Sequence, residues 1–259
     1  MLFKLELAML VDVHAHLDFR DFDEDIDEVI KRAHGAEVIA IINNGTDPAT
    51  NRKTIALSAK YHLIKPALGI YPSETVKMTE EQLDKEFKFI ENSKPVALGE
   101  VGLDLKLLPD LKIQKEVFER FIKLSEKMKI PLIVHSRKAE QEVFDCLVSS
   151  NAKLVNMHCF SGKLSLARKI EDNGWYMSIP PNIVFSTHFQ ELVKTVSLSH
   201  LLTETDSPFL SNEKGGRNEP ANVSFTVKKI AELKGLDTTE TENNIFLNFS
   251  RLFKGIRTK

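Results

Sequence analysis

The sequence predicts a single-domain α/β protein built as a (β/α)8 TIM-type barrel. Short apolar segments rich in β-branched residues alternate with longer amphipathic segments along the chain. About eight of the short segments are almost continuously hydrophobic, which is typical of parallel strands buried on both faces, and a helical pattern follows each one. A doubly wound open sheet is the competing architecture. It is disfavoured because no G-x-G-x-x-G turn follows any predicted strand.

The predicted elements follow one another in a regular order. Short apolar runs predict strands at Leu10–Val13, Val38–Ile42, Lys65–Ile70, Val96–Leu98, Pro131–Val134, Leu154–Met157, Trp175–Ile179 and Leu201–Thr203. Apolar residues at helical spacing predict helices at Asp23–His34, Pro48–Tyr61, Glu80–Glu91, Leu111–Met128, Ala139–Ser149, Leu164–Asn173, Thr187–Val196, Val223–Lys234 and Thr239–Phe253. We expect the barrel domain to span 10–259, behind an N-terminal extension at 1–9 in which Met9 is the candidate for the native start.

Composition narrows the classes of partner. The formal net charge is −2, so this is not a polybasic nucleic-acid binder, and any contact with nucleic acid is expected to be local and metal-assisted. Two cysteines, Cys146 and Cys159, are too few for a disulfide framework, which favours a reducing, cytoplasmic location. No apolar stretch approaches the length of a membrane span, so no membrane partner is expected.

An H-x-H pair, His14 and His16, lies at the end of the first predicted strand. Because side chains alternate along a strand with a period of two, both imidazoles project from the same face. Two imidazoles on one rigid surface make up half of a metal site. A pair this short also arises by chance, so its meaning depends on where other potential ligands fall.

Four further candidate ligands follow later predicted strands: Glu100, His135, His158 and Asp206. Singly, each has a structural explanation, such as a hydrogen-bonded core histidine, a helix cap, an ion-pair member or a turn residue. A closed barrel brings the carboxyl ends of its strands together at the active-site face, which favours one shared site. The remaining histidines lie in or beside helical segments and are interpreted as surface or structural residues: His34, His62, His188 and His200.

Four imidazoles and two carboxylates are too many ligands for one tetrahedral ion, and they suit two divalent ions bridged by a carboxylate. Such a pair of ions activates a water molecule and stabilises a leaving oxygen, while a spare carboxylate accepts the proton of the water. The residues therefore predict metal-assisted hydrolysis. The candidate ions are Mg²⁺, Mn²⁺ and Zn²⁺.

Longer motifs around these residues resemble the TatD family of metal-dependent hydrolases, within the amidohydrolase-like barrel group. From about residue 10 onward, these motifs occur in the same order along the chain as in members of that family. The motifs are Val11–Asp18, Ala97–Asp104, Pro131–Arg137, Met157–Gly162, Leu202–Phe209 and Arg217–Val223. The resemblance implies a divalent-metal deoxyribonuclease, often a 3′ exonuclease acting on single-stranded DNA.

The resemblance also implies how the two ions would be held. One ion would be bound by His14, His16, Glu100 and Asp206, and the other by Glu100, His135 and His158. Glu100 would be the bridge, and we assign Asp206 a second role as the general base for the attacking water. Glu204, two residues before Asp206, is a candidate for supporting a ligand from behind, because strand alternation aims it the same way.

Four residues are candidate substrate contacts. The planar fork of Arg217 matches phosphate oxygens, although a structural ion pair with a nearby acid fits it equally well. Arg137 and Lys163 follow strands that end in predicted ligands. Each is expected either to contact a phosphate of the substrate or to lie exposed in solvent. Tyr71 stands where family members commonly carry a histidine; it keeps a hydroxyl donor but has no positive charge near neutral pH.

Two other functions remain open. TatD-like proteins include deacylases of mischarged D-aminoacyl-tRNA, and the wider barrel group hydrolyses amides, lactones and phosphotriesters with the same pair of ions. A non-catalytic metal-binding module is less favoured, because every expected ligand is present. DNA is therefore the expected partner and aminoacyl-tRNA the alternative, and the sequence makes no prediction about oligomeric state.

Overall fold

Eight parallel strands form one sheet in which the order in space is the order in the chain. A computed structural model describes residues 9–107 and 111–256. The strands are β1 (Leu10–Ala15), β2 (Val38–Asn44), β3 (Ile64–Leu68), β4 (Ala97–Gly102), β5 (Leu132–His135), β6 (Val155–Met157), β7 (Tyr176–Ile179) and β8 (Leu201–Thr203). The α-helices of the described residues are α1 (Ile26–Gly35), α2 (Pro48–Lys60), α3 (Pro72–Thr75), α4 (Glu80–Ser93), α5 (Lys112–Met128), α6 (Glu140–Ser149), α7 (Leu164–Asp172), α8 (Thr187–Thr195), α9 (Val223–Lys234) and α10 (Thr238–Leu252). The predicted (β/α)8 barrel is confirmed.

Local sequence signals set the ends of several helices. At the start of α2, the side chain of Asp47 accepts the N–H of Thr50, 2.9 Å away. At the start of α4, the side chain of Thr79 accepts the backbone N–H of Gln82, and the side chain of Gln82 accepts the backbone N–H of Thr79, which together form a capping box. The helix α9 ends where Gly235 adopts a φ of +66°, a conformation that glycine reaches without a Cβ penalty.

The barrel closes between β1 and β8 through a few specific bonds. The backbone N–H of Asp206 donates to the carbonyl of His14 over 2.8 Å, and that of His16 donates to the loop after β8 over 2.9 Å. The buried carboxylate of Asp12 accepts the backbone N–H and the hydroxyl of Thr205, at 2.9 and 2.5 Å. These bonds hold the H-x-H pair against the residue that ends the eighth strand.

Three strands continue at least two residues past their predicted ends into sequence with polar residues, and the first of them, β1, runs to Ala15. β2 runs to Asn44, and β4 runs to Gly102, so Glu100 lies within its strand rather than after it. Gly102 has a φ of +142°, and a Cβ there would lie 2.0 Å from the carbonyl oxygen of His135. The absence of a side chain at this position therefore allows β4 and β5 to approach closely beside the site.

The predicted extension at 1–9 lies outside the described residues except for Met9. Within 9–107 and 111–256, the helices are all too short or too polar to cross a membrane.

Candidate metal centre

The carboxyl ends of the strands surround a cleft with a volume of about 430 Å³. Strands β1, β4 and β5 and the residues after β1, β6 and β8 supply the predicted ligands. The cleft is lined by His16, Phe19, Thr46, Tyr71, Glu74, Glu100, His135, Arg137, His158, Asp206, Phe209 and Leu210. His14 lies directly beneath and contacts several of them.

The first group of ligand atoms comprises Nε2 of His14, Nε2 of His16, Oε2 of Glu100 and Oδ1 of Asp206. The two nitrogens are 3.0 Å apart, and each lies 3.3–3.6 Å from the two oxygens. Ligands bound about 2.0–2.2 Å from one ion lie about 3.0–3.5 Å from each other, so these spacings fit a shared cation. Among the described residues, His14, His16 and Asp206 form one group able to hold an ion.

The second group lies on the other side of the Glu100 carboxylate. Oε1 of Glu100 is 2.6 Å from Nδ1 of His135 and 3.6 Å from Nε2 of His158. His14, Glu100 and His158 also form a group able to hold an ion, and the His14 and His158 rings stack at 3.7 Å. The two oxygens of Glu100 thus face two different sets of imidazoles.

Hydrogen bonds from behind fix two of these imidazoles. Nδ1 of His16 donates to the carbonyl of Asn44 over 2.8 Å, so in the neutral ring the lone pair is on Nε2 and faces the cleft. Nδ1 of His158 lies 2.9 Å from Oε2 of Glu204, which also accepts the hydroxyl of Ser178. A carboxylate behind a ligating histidine sets both its orientation and its basicity.

Asp104 has the corresponding position behind His135. Its Oδ2 lies 3.0 Å from Nε2 of His135 and accepts the hydroxyl of Tyr71 over 2.8 Å. The guanidinium of Arg137 donates to the same oxygen, at 2.6 and 2.9 Å, and keeps 39% of its side chain exposed. Tyr71 and Arg137 therefore enter the cleft already ordered by one buried carboxylate.

Without an ion, the carboxylates of the site favour protonation of two of its imidazoles, His135 and His16. Burial alone would lower the pKa of His135, but Glu100 and Asp104 outweigh it and raise that pKa to about 9. Burial opposes protonation of His16 too, yet hydrogen bonds to Asp206 and Glu100 raise its pKa well above the usual value. The site is therefore electrostatically arranged to receive positive charge.

Comparison with known proteins identifies the family. The family model for TatD related DNase matches residues 11–254. The chain belongs to this family. Human deoxyribonuclease TATDN3 is 35% identical over 262 residues, covering 96% of this chain and 96% of the human protein. The uncharacterized metal-dependent hydrolase MJ1582 of Methanocaldococcus jannaschii is 35% identical over 246 residues, covering 94% of this chain and 96% of that protein.

A solved TatD homologue has the same architecture. The crystal structure of YJJV from Escherichia coli superposes with a TM-score of 0.87 at 26% identity, covering 95% of this chain and 98% of that chain. The resemblance inferred from the motifs is confirmed. The chain is a metal-dependent hydrolase of the TatD family.

Two of the four predicted substrate contacts of this TatD protein lie outside the cleft. Within the described ranges, neither Arg217 nor Lys163 lines it. Arg217 forms an ion pair with Asp25, at 2.5 and 2.8 Å, and its guanidinium lies over the ring of Phe22, so the structure has the ion pair that was the alternative for this residue. Lys163 borders a separate small pocket that also includes Lys169. Phosphate contacts by Arg217 and Lys163 remain predictions.

Asp104, which contacts His135 from behind, was not among the predicted site residues. The signal available in the sequence was its position within the motif Ala97–Asp104, four residues after Glu100. Glu204, the candidate for supporting a ligand, lies behind His158, a partner that the sequence did not specify.

Proposed function

We propose that this TatD protein is a deoxyribonuclease that hydrolyses phosphodiester bonds of single-stranded DNA or of 3′ ends with two divalent ions. The observation that carries the proposal is the orientation of Glu100, whose Oε2 faces His14 and His16 while its Oε1 faces His135 and His158. A carboxylate that presents one oxygen to each of two imidazole groups is placed to bridge two cations. The deoxyribonuclease name of the human relative supports DNA as the substrate.

The proposed ligand sets follow from this division. One ion would be held by His14, His16, Glu100 and Asp206, and the other by Glu100, His135 and His158. Mg²⁺, Mn²⁺ and Zn²⁺ are the candidates, because imidazole suits the transition metals while phosphoryl transfer often uses Mg²⁺. When bound, the ions supply Lewis acidity toward a phosphoryl oxygen and toward a water molecule.

Asp206 is the proposed general base. Hydrogen bonds with His14 and His16 overcome the effect of burial and hold the pKa of Asp206 well below its usual value, so the carboxylate is ionised at neutral pH. Its side chain is 15% exposed and borders the cleft. As the water oxygen attacks phosphorus, Asp206 takes the water proton, the bond to the leaving oxygen breaks, and that oxygen takes a proton from solvent.

Arg137 and Tyr71 are the proposed contacts to phosphate. Asp104 anchors both side chains beside His135, at the edge of the second ligand group. A guanidinium held in this way presents its remaining N–H groups without a further loss of side-chain entropy.

Parallel assays test the proposal. Metal-free protein is supplied with Mg²⁺, Mn²⁺ or Zn²⁺ and mixed with 3′-labelled single-stranded DNA or with D-aminoacyl-tRNA. We expect release of nucleotides from DNA, with loss of activity and of bound metal in His14→Ala. Hydrolysis of the tRNA ester alone would overturn the nuclease assignment. Unchanged metal content in His14→Ala and no turnover of either substrate would favour a binding module.

A further inference from the structure

An exposed aromatic side chain stands on the wall of the cleft beside the predicted ligands. Phe209 lines the cleft and keeps 52% of its surface exposed, among the largest exposures of any apolar side chain in the described ranges. Phe19 lies between it and the ligands. The ring of Phe19 stacks on His16 at 4.7 Å with an interplanar angle of 13°, and it meets Phe209 edge to face at 6.2 Å.

The turn after β8 fixes Phe209 relative to Asp206. The N–H of Phe209 donates to the carbonyl of Asp206 over 2.8 Å, so both side chains belong to one turn. From behind, buried Asn218 donates its N–H to the carbonyl of Pro208 over 2.9 Å and its side-chain amide to the carbonyl of Thr205 over 2.7 Å. The position of Phe209 is therefore set by hydrogen bonds rather than by burial of its ring.

The same turn carries backbone strain. Asp206 has a φ of +52° and Leu210 a φ of +53°, and this left-handed region is unfavourable for a bulky residue such as leucine. Such strain persists only where the surroundings enforce it, and it is concentrated at functional sites. Here the strained turn presents Asp206, Phe209 and Leu210 to one cleft.

We propose that Phe209, supported edge to face by Phe19, is a stacking platform for a nucleobase next to the scissile phosphate of single-stranded DNA. This inference rests on the proposed deoxyribonuclease function. Two ring contacts, of 4.7 and 6.2 Å, connect the predicted ligand His16 through Phe19 to Phe209. A base in a duplex has both faces covered, so the platform selects an unpaired base, and it does so without reading the sequence.

The shape of the site argues against a protein partner at this ring. Phe209 lines a concave cleft of about 430 Å³ that also contains the predicted ligands and the two proposed phosphate contacts, Tyr71 and Arg137. A planar heterocycle attached to a phosphate enters such a space, whereas a protein surface does not. The aromatic wall also accounts for nucleic-acid contact by a chain whose net charge is −2.

The test compares oligothymidylate with the same oligomer built from 5,6-dihydrothymidine. The reduced base keeps its hydrogen-bonding groups and its phosphates but loses the planar π-system. For the wild-type, metal-loaded protein, kcat/KM is expected to be about tenfold lower on the reduced oligomer, mostly through KM, as loss of one stacked base predicts. Phe209→Ala is expected to have the same kcat/KM on the two oligomers. Phe209→Trp is expected to keep the higher kcat/KM on the unreduced oligomer.

Phe225→Ala is the matched control, since Phe225 is 42% exposed and is not among the residues that line the cleft in the described structure. It is expected to discriminate like the wild type. Equal discrimination by Phe209→Ala and the wild type would overturn the platform. If the wild type cleaves neither oligomer with any of the three metals, the nuclease assignment fails. The platform is then judged by calorimetric binding of thymidine 5′-monophosphate, and equal affinities in wild type and Phe209→Ala would overturn it.

Discussion

Nδ1 of His158 lies 2.9 Å from Oε2 of Glu204, a carboxylate that is completely buried behind the cleft. This contact sets which nitrogen of His158 faces Glu100. Burial raises the pKa of Glu204 to about 8, so its side chain carries a negative charge only above that pH, whereas the glutamine of Glu204→Gln has the same size and never ionises. The two proteins are therefore compared at pH 9. We expect metal affinity to fall about 10- to 100-fold, measured by calorimetric titration of metal-free protein.

Glu171→Gln is the control for that substitution, because Glu171 lies 3.5 Å from a histidine remote from the predicted ligands, His200. Its metal affinity should equal that of the wild type. Equal affinities for Glu204→Gln and wild type would show that the buried carboxylate does not tune the site.

Metal affinity should depend strongly on pH. In the metal-free site Glu100 and Asp104 raise the pKa of His135 to about 9, so this ring holds a proton at neutral pH that an incoming cation must displace. Affinity should therefore rise as the pH increases toward 9 and flatten above it. Titrations at several pH values, in buffers of different ionisation enthalpy, measure both the affinity and the protons released. A constant affinity from pH 6 to 9 without proton release would contradict this electrostatic account.

Replacement of the proposed base should separate chemistry from metal binding. Asp206→Asn keeps an oxygen within reach of an ion but removes the proton acceptor, so kcat is expected to fall by at least about 100-fold. Metal affinity should fall by a smaller factor. The matched control is Asp25→Asn, because the carboxylate of Asp25 pairs with Arg217 and is not among the described residues that line the cleft. The kcat of this variant should equal that of the wild type. If Asp206→Asn lowers affinity and kcat equally, another group is the base.

The substitution Gly102→Ala should destabilise the fold beside His135. The added Cβ would lie 2.0 Å from the carbonyl oxygen of His135, so the backbone must move. We expect a loss of more than about 3 kcal/mol in the free energy of unfolding, from denaturant titration.

Gly174→Ala is the control that separates the steric clash of an added Cβ from the cost of a positive φ. Gly174 also has a positive φ, +75°, but a Cβ there would have nothing within 4 Å. Its expected loss is about 1–2 kcal/mol, the cost of the left-handed conformation alone. Equal losses in the two variants would show that the contact with His135 does not limit this position.

The barrel and the convergence of the predicted ligands followed from simple periodicities. Apolar runs of strand length predicted the strands, and the closure of a parallel barrel predicted that Glu100, His135, His158 and Asp206 meet the H-x-H pair. The ends of β1 and β2 were each wrong by two residues and the end of β4 by four, because His14, Asn44 and Glu100 are polar residues held in strand conformation by their neighbours.

Side chains on loops were less predictable, because their paths depend on contacts that are distant in sequence. Arg217 pairs with Asp25, 192 residues away in the sequence, and no local sequence pattern predicts that pairing. Phe209 is visible in the sequence only as an aromatic residue after a turn. Its exposure depends on the strained turn and on the bonds from Asn218, which only the folded chain brings together.

The central claim is that Glu100 bridges two cations, and anomalous diffraction from crystals grown with Mn²⁺ or Zn²⁺ tests it most directly. We expect two anomalous peaks about 3.5–4 Å apart, one beside Oε2 of Glu100 with His14 and His16, the other beside Oε1 with His135 and His158. A single peak at full metal occupancy, or two peaks that do not share Glu100, would contradict the account.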